Sequence, residues 1–259
     1  MDLGISGRTA LVCASSRGLG RACAEALARE GVALVINGRD AAQLEATARE
    51  IRSAAGVPVT PVVADLCTEA GRALLLTACP NPDILINNNG GPAPGRFEDW
   101  DHAKWLAALE ANLLAPVLMI RGVIAGMRAR RFGRIVNITS AMVRTPHPAM
   151  GLSTAARSAL TAACKGLSKE VARDNVTINN LLPERIDTGR QRFMAELRAK
   201  TGGVSIEQAY AEMAASIAAG RLGTPEEVGA ACAYLCSTQA SYVSGQNVQL
   251  DGGSYPGVF

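Results

Sequence analysis

Short apolar, β-branched runs alternate with longer Ala-rich amphipathic segments along most of this chain, and that alternation limits the folds open to it. Residues 9–13 read as a strand and 20–30 as a helix closed by Gly31. Residues 32–37 read as a second strand, 41–54 as a second helix, 58–64 as a third strand and 84–87 as a fourth. A long helix follows at 103–130, then a fifth strand at 134–139, a second long helical pattern at 154–174, and strands at 176–182 and 247–250. Strands apolar on both faces, each followed by a helix, imply a parallel sheet covered on both sides. Right-handed crossovers then give a single doubly wound α/β sheet.

No Pro/Gly/Ser-rich linker divides the 259 residues and no internal repeat is visible, so one domain over 1–259 is expected. Residues 189–220 differ from the rest. They are polar, charged and helical, hold Gly202-Gly203, and would lie over the carboxyl end of the sheet as a substrate lid. A net charge of +3 is too small to argue for nucleic acid, and the densest basic spot, Arg128 to Arg131, reads as a solvated helix end. The seven cysteines lack zinc-type spacing and only His102 and His147 could join them, so no metal is expected and the thiols read as core fillers. The N-terminus has no signal-peptide core and no unbroken apolar run approaches membrane length, so a soluble cytoplasmic protein is expected.

The first strand runs into Ala14-Ser15-Ser16-Arg17-Gly18-Leu19-Gly20 and then a helix. Gly18 and Gly20 permit a tight turn and close backbone approach, and the helix N-terminus offers free N–H groups to a pyrophosphate. The end of the second strand separates two cofactors. NAD users place a carboxylate there for the ribose 2′-OH. Here Gly38 stands in that position and Arg39 follows, with Arg17 in the glycine loop. Two guanidinium groups converging on a 2′-phosphate favour NADP(H). Asp40, one residue later, keeps NAD(H) open, although it also reads as a helix N-cap.

The order of motifs resembles the short-chain dehydrogenase/reductase family, especially its 3-oxoacyl-carrier-protein-reductase-like members, over nearly the whole chain. The family's Thr-Gly-x-x-x-Gly-x-Gly loop is similar to 13–20, with Cys13 and Ala14 for Thr and the first Gly. Its adenine-contacting Asp-Leu is similar to Asp65-Leu66, and its Asn-Asn-Ala-Gly to Asn87-Asn88-Asn89-Gly90. Asn112, Ser140, the stretch 183–188 with Glu184 for Gly, the stretch 221–228, Ser244-Gly245-Gln246 and Asp251-Gly252-Gly253 follow in order. The resemblance implies a Rossmann-type fold and a homodimer or homotetramer through the long helices. It implies cofactor contacts at Ser15, Ser16, Arg17, Gly18, Leu19, Gly20, Arg39, Asp65, Leu66, Asn88, Gly90, Arg157, Ile186 and Thr188.

The resemblance also carries a conflict. Ser153 and Arg157 stand where the family has its Tyr-x-x-x-Lys, and the four tyrosines, Tyr210, Tyr234, Tyr242 and Tyr255, all lie far along the chain. Lys165 is two helical turns beyond Arg157, too far to take the lysine's part. The family's tyrosine donates the proton to the carbonyl. A serine hydroxyl is a far weaker acid and arginine cannot relay a proton as lysine can. The candidate catalytic set is therefore Asn112, Ser140, Ser153 and Arg157, with the two serines as a hydroxyl pair, water as proton source, and His147 as another candidate acid. Arg144, Arg157 and Arg185 are expected near one cleft, where they would suit an anionic substrate or pair with Glu184, Asp187 or a neighbouring subunit. Arg190, Arg192 and Arg198 read as a solvated helix face. Three activities stay open: an NADP(H)-dependent reductase of a small carbonyl or imine compound, a nucleotide-binding sensor or partner subunit without hydride transfer, and a non-redox enzyme reusing the pocket.

Overall fold

The computed structural model describes residues 2–258. The strands are β1 (Thr9–Val12), β2 (Ala33–Gly38), β3 (Val59–Val63), β4 (Ile84–Asn87), β5 (Gly133–Ile138), β6 (Val176–Pro183) and β7 (Asn247–Leu250). They form one parallel sheet in the order β3-β2-β1-β4-β5-β6-β7. The chain moves outward from β1 to β3, then returns to the other side of β1 at β4. The β1–β4 crevice is thus the switch point where such sheets bind ligands.

The helices are α1 (Gly18–Arg29), α2 (Ala41–Ala55), α3 (Glu69–Ala78), α4 (His102–Leu109), α5 (Ala115–Ala129), α6 (Gly151–Val171), α7 (Gly189–Gly202), α8 (Ile206–Ala215) and α9 (Pro225–Cys236). Alternate strand residues divide between two cores. Ala10, Val12, Ile36, Ile86 and Val136 meet α1, α2 and α9 through Leu27, Leu44 and Val228. Leu11, Val35, Leu85, Ile135 and Ile178 meet α3, α5 and α6 through Leu75, Met119 and Leu160. A two-faced apolar strand therefore signals burial on both sides.

Three expectations need correction. The helix expected over 103–130 is interrupted by a π-turn at Glu110–Leu114, which inserts Asn112 toward the crevice. The whole run His102–Ala129 is long and apolar enough to cross a membrane by composition, but here Met119, Ile120, Val123 and Met127 are buried in the protein. The helix expected from 154 begins at Gly151, so Ser153 lies in its first turn rather than in the preceding loop. The segment 189–220 is two helices, α7 and α8, closed on their own small core of Ala195, Ala209 and Met213.

Candidate active site

The turn after β1 is built around Asn37. Its side chain accepts from the Ala14 N–H at 3.2 Å and donates to the carbonyls of Val62 and Ala64 at 3.2 and 2.9 Å. Ser15, expected at the cofactor, is fully buried. Its hydroxyl donates to Val12 O at 2.7 Å and accepts from Asn37 N at 3.0 Å, so it fixes the turn from beneath. Ala14, where the resemblance has glycine, holds a left-handed φ of 44°. A Cβ costs about 1–2 kcal/mol in that region. Ala14→Gly is accordingly expected to raise unfolding stability by about 1 kcal/mol, measured by urea denaturation.

The turn fits a dinucleotide phosphate. Arg17, the N-cap of α1, makes no side-chain cap bond, so the first N–H groups of α1 remain available. Gly18 has φ 60°, and a Cβ there would project into open space; the same is true of Gly90 across the crevice, without the unusual φ. Gly20 is closed: a Cβ would lie 2.4 Å from Ala14 O and 2.8 Å from Asn88 Nδ2. Asn88 Nδ2 itself donates to Ala14 O at 3.0 Å, joining β4's end to the turn. Leu19 packs on the core and Leu66 is buried.

At the end of β2 there is no carboxylate, and a Cβ on Gly38 would lie 3.1 Å from Ser16 Oγ. Asp40 caps α2 by accepting from Gln43 N at 3.1 Å, which matches its local reading and turns it away from a ribose role. Arg39 is 80 % exposed and lies 3.8 Å from Asp65 Oδ2, while Asp65 Oδ1 accepts from Cys67 N at 2.9 Å. Arg39 is thus free to move onto a phosphate. On the far side of the crevice, Ile186 is buried and bridges Gly223, and Thr188 opens α7 with its hydroxyl not used as a cap.

Ser153 and Arg157 lie one turn apart on α6 and are both buried. Arg157 Nε donates to Ser153 Oγ at 3.2 Å; Nη1 donates to the carbonyls of Ile138 and Thr139 at 2.7 and 3.1 Å, and Nη2 to Asn89 O at 3.3 Å. No carboxylate is among these partners. Burial, together with the charge of Arg190, lowers the Arg157 pKa to about 10. Ser153 Oγ accepts from a cation and keeps its own proton to donate. Ser140 Oγ accepts from Met142 N at 3.2 Å; no hydrogen bond joins the two serines. Each hydroxyl is therefore an independent donor rather than half of a bonded pair.

Asn112 Nδ2 donates to Gly90 O at 3.4 Å, and Asn89 Nδ2 returns a bond to Ala111 O at 3.2 Å. The π-turn is thereby tied to the loop after β4. A cavity of about 20 Å³ lies beside Asn87, Asn112 and Arg157, large enough for one water. It ends a ladder not foreseen from the sequence. Asn87, Asn137, Asn180 and Asn247 are register partners across β4–β7, and each amide donates to the next at 2.9, 2.9 and 2.8 Å. Asn87 Oδ1, at the cavity end, is buried without a protein partner. Only the presence of an asparagine in each of four strands could have signalled this.

The other candidates separate. His147 is exposed and uses Nδ1 to cap Pro148–Met150, accepting from Ala149 N at 3.2 Å. Arg144 donates to Gln249 at 2.8 Å and stacks on Tyr255, so it does not join Arg157. Arg185 takes φ 46°, and its buried Nε has no partner. Burial and Asp251 raise the Glu184 carboxyl, partly offset by Arg185. Arg190, Arg192 and Arg198 are all exposed, as expected; Arg192 and Arg198 pair with Glu196 and Glu212, whereas Arg190 bonds Pro92 O at 2.8 Å.

A parallel doubly wound sheet with a glycine turn at its switch point and hydroxyl, amide and guanidinium groups facing it defines a dinucleotide-binding protein with a reactive cleft. Known proteins agree. A family model described as enoyl-(acyl carrier protein) reductase matches residues 13–255. The NADPH-dependent reductase BacG of Bacillus subtilis is 32 % identical, covering 96 % of this chain and 98 % of that protein. A 3-oxoacyl-[acyl-carrier-protein] reductase of Aquifex aeolicus is also 32 % identical, over 98 % of this chain and 100 % of its own. The structure of L-sorbose reductase from Gluconobacter frateurii, complexed with NADPH and L-sorbose, superposes with TM-score 0.94 at 30 % identity, covering both chains fully (100 %). The chain belongs to the short-chain dehydrogenase/reductase family.

Proposed function

We propose that the protein is an NADP(H)-dependent reductase of a small carbonyl or imine compound, in which Ser153 and Arg157, beside Ser140, stand in for a tyrosine–lysine pair. The observation that carries this is Arg157: a buried guanidinium with no carboxylate, bonded to the Ser153 hydroxyl one turn before it. NADPH-dependent relatives of equal length support the cofactor, as does a β2 end that offers Arg39 and no acid. The backbone of α1 and Gly18, with Ser16 and Arg17, would hold the pyrophosphate side; Arg39 would hold the 2′-phosphate and Asp65-Leu66 the adenine. Asn88, Gly90, Ile186, Thr188 and Arg157 would line the nicotinamide side. When bound, NADPH supplies the hydride.

The chain's own groups then act on the substrate heteroatom. Ser140 and Ser153 donate hydrogen bonds to it and fix its orientation, and the single proton that completes the reduction comes from water. Arg157 withdraws electron density from Ser153 Oγ through Nε–H and places positive charge beside the oxygen or nitrogen that becomes basic, the largest available effect in a dry site. Asn112 holds the π-turn against the loop, and the adjoining water-sized cavity offers a route for the water-derived proton. The segment 189–220 serves as the lid of a single domain over 1–259. The exposed apolar residues Leu106 of α4 and Leu114 of the π-turn suit a homodimer or homotetramer. The protein works in the cytoplasm on a small, anionic molecule.

Two results are expected. Arg39→Ala weakens NADPH binding about tenfold and leaves NADH binding unchanged in calorimetric titration; equal effects on both would remove Arg39 from the 2′-phosphate. The pH profile follows from the charges: neither a serine nor the guanidinium changes charge between about pH 6 and pH 9, so kcat/KM is flat there. The cation is the working form and burial lowers it to about 10, so activity falls as pH rises past that value. A descending limb centred well below it would place a different acid at the site. The test of the reading as a whole is a screen of carbonyl and imine compounds for NADPH oxidation.

A further inference from the structure

Arg190, in the first turn of α7, departs from its neighbours. It turns back over the cleft, donates Nη2 to Pro92 O at 2.8 Å and lies 5.7 Å from the Phe193 ring centre. Both partners are neutral. Arg157 likewise has only carbonyls and a hydroxyl. Among the described residues neither guanidinium pairs with a carboxylate, whereas Arg192 and Arg198 on the same helix both do. Both cations hold the same short loop after β4: Arg157 Nη2 donates to Asn89 O at 3.3 Å and Arg190 Nη2 to Pro92 O at 2.8 Å, three residues further on, with Gly91 between. A Cβ on Gly91 would sit 3.7 Å from Arg157 Nη2 and 3.7 Å from Ser153 Oγ.

Arg157 is buried and has given up its hydration, while Arg190 is exposed at the rim of the same cleft, and the two like charges repel. A bound anion relieves both penalties. The dinucleotide's negative charge lies on its phosphates, for which α1, Arg17 and Arg39 are available; its dihydronicotinamide end carries none. The remaining source is the substrate. We propose that Arg190 is the carboxylate receptor of this cleft, and that the substrate is a small oxo or imino acid whose carboxylate meets Arg190 while its carbonyl or imine faces Ser153 and Arg157. This rests on the reductase reading and adds the substrate class. Because Arg190 belongs to the lid and is fastened to the 90–95 loop, the same carboxylate pins α7 over the reacting group.

The test compares short- and medium-chain 2-oxo, 3-oxo and 4-oxo acids, and imines formed from them with ammonia, with their methyl esters. NADPH oxidation is followed with wild type, Arg190→Gln and Arg190→Lys at saturating NADPH. The expected result is an acid used at least about tenfold better than its ester. Arg190→Gln removes that preference by raising KM with kcat held within about threefold, and Arg190→Lys retains part of it. Esters used as well as acids by wild type, or a preference that survives Arg190→Gln, would overturn the proposal and leave the reductase reading standing. Bound NADPH that no acid oxidises would also overturn it. Weaker NADPH binding in Arg190→Gln, with acids and esters still alike, would assign the cation to the pyrophosphate instead. Failure of wild type to bind NADPH at all would defeat the reductase reading itself.

Discussion

Arg157→Met is expected to lower kcat/KM by about 10²–10³, the usual effect of removing one preorganised donor from a developing anion. Methionine keeps an unbranched apolar stem at this cavity-lining position, so the surrounding packing changes little. What is lost is the charge and five N–H donors. Ser153 then loses the bond at 3.2 Å that polarises its hydroxyl. The carbonyls of Ile138, Thr139 and Asn89 lose their donor as well, at about 1–3 kcal/mol for each that water does not reach. Relief of an unpaired buried cation offsets part of that cost. The folded state should therefore survive while turnover does not. Arg157→Lys keeps the charge but cannot reach both Ser153 and the three carbonyls at once, so an intermediate loss is expected. Single-turnover NADPH oxidation with purified variants decides this, and activity of Arg157→Met within about threefold of wild type would remove Arg157 from the chemistry.

The second large effect is at Gly20. Gly20→Val is expected to weaken NADPH binding by at least about 100-fold and to cost about 1–3 kcal/mol of stability, as overpacking does in a close-fitted junction. The contacts are backbone and short side chain, not flexible ends: Ala14 O at 2.4 Å and Asn88 Nδ2 at 2.8 Å from the added Cβ. Relief requires α1 to lift from the β1 turn, which breaks the Asn88–Ala14 bond and moves the helix N-terminus off the phosphate position. Gly18→Ala provides the contrast. A Cβ there meets nothing within 4 Å, so the protein is strained only through φ 60° while the methyl enters the nucleotide's space. Thermal denaturation with and without NADPH should show Gly20→Val damaged in both conditions and Gly18→Ala chiefly in the response to ligand. A Gly20→Val protein that binds NADPH normally would mean the dinucleotide does not lie across this turn.

Much of this was legible from the chain because parallel strands buried on two faces leave continuous apolar runs. Leu11 and Val12 go to different cores, yet both had to be apolar. Gly18 and Gly20 were marked by their place after the first strand, whereas Asn112 and Ser140 came from the family resemblance. The features that escaped reading depend on tertiary register. The π-turn at 110–114 adds one residue to a turn without disturbing the apolar pattern around it. Asn87, Asn137, Asn180 and Asn247 each look like an isolated polar residue of a strand until parallel pairing stacks them. Arg190 shares a polar helix with Arg192 and Arg198, and nothing local marks it; only the position of Pro92 separates it from them. Ser15 carried the opposite error, since a hydroxyl in a nucleotide-binding turn is also well suited to hold that turn from below.

The most direct test of the account is whether bound NADPH is consumed. Protein with NADPH at saturating concentration is mixed with a broad set of carbonyl and imine compounds, and absorbance of the reduced nicotinamide is followed with product analysis. The account predicts catalytic NADPH oxidation with at least one compound, a reduced product in equal amount, and loss of that turnover in Arg157→Met. Micromolar NADPH binding with no oxidation across the whole set would contradict it, and would make this cleft a nucleotide-sensing site that has given up hydride transfer.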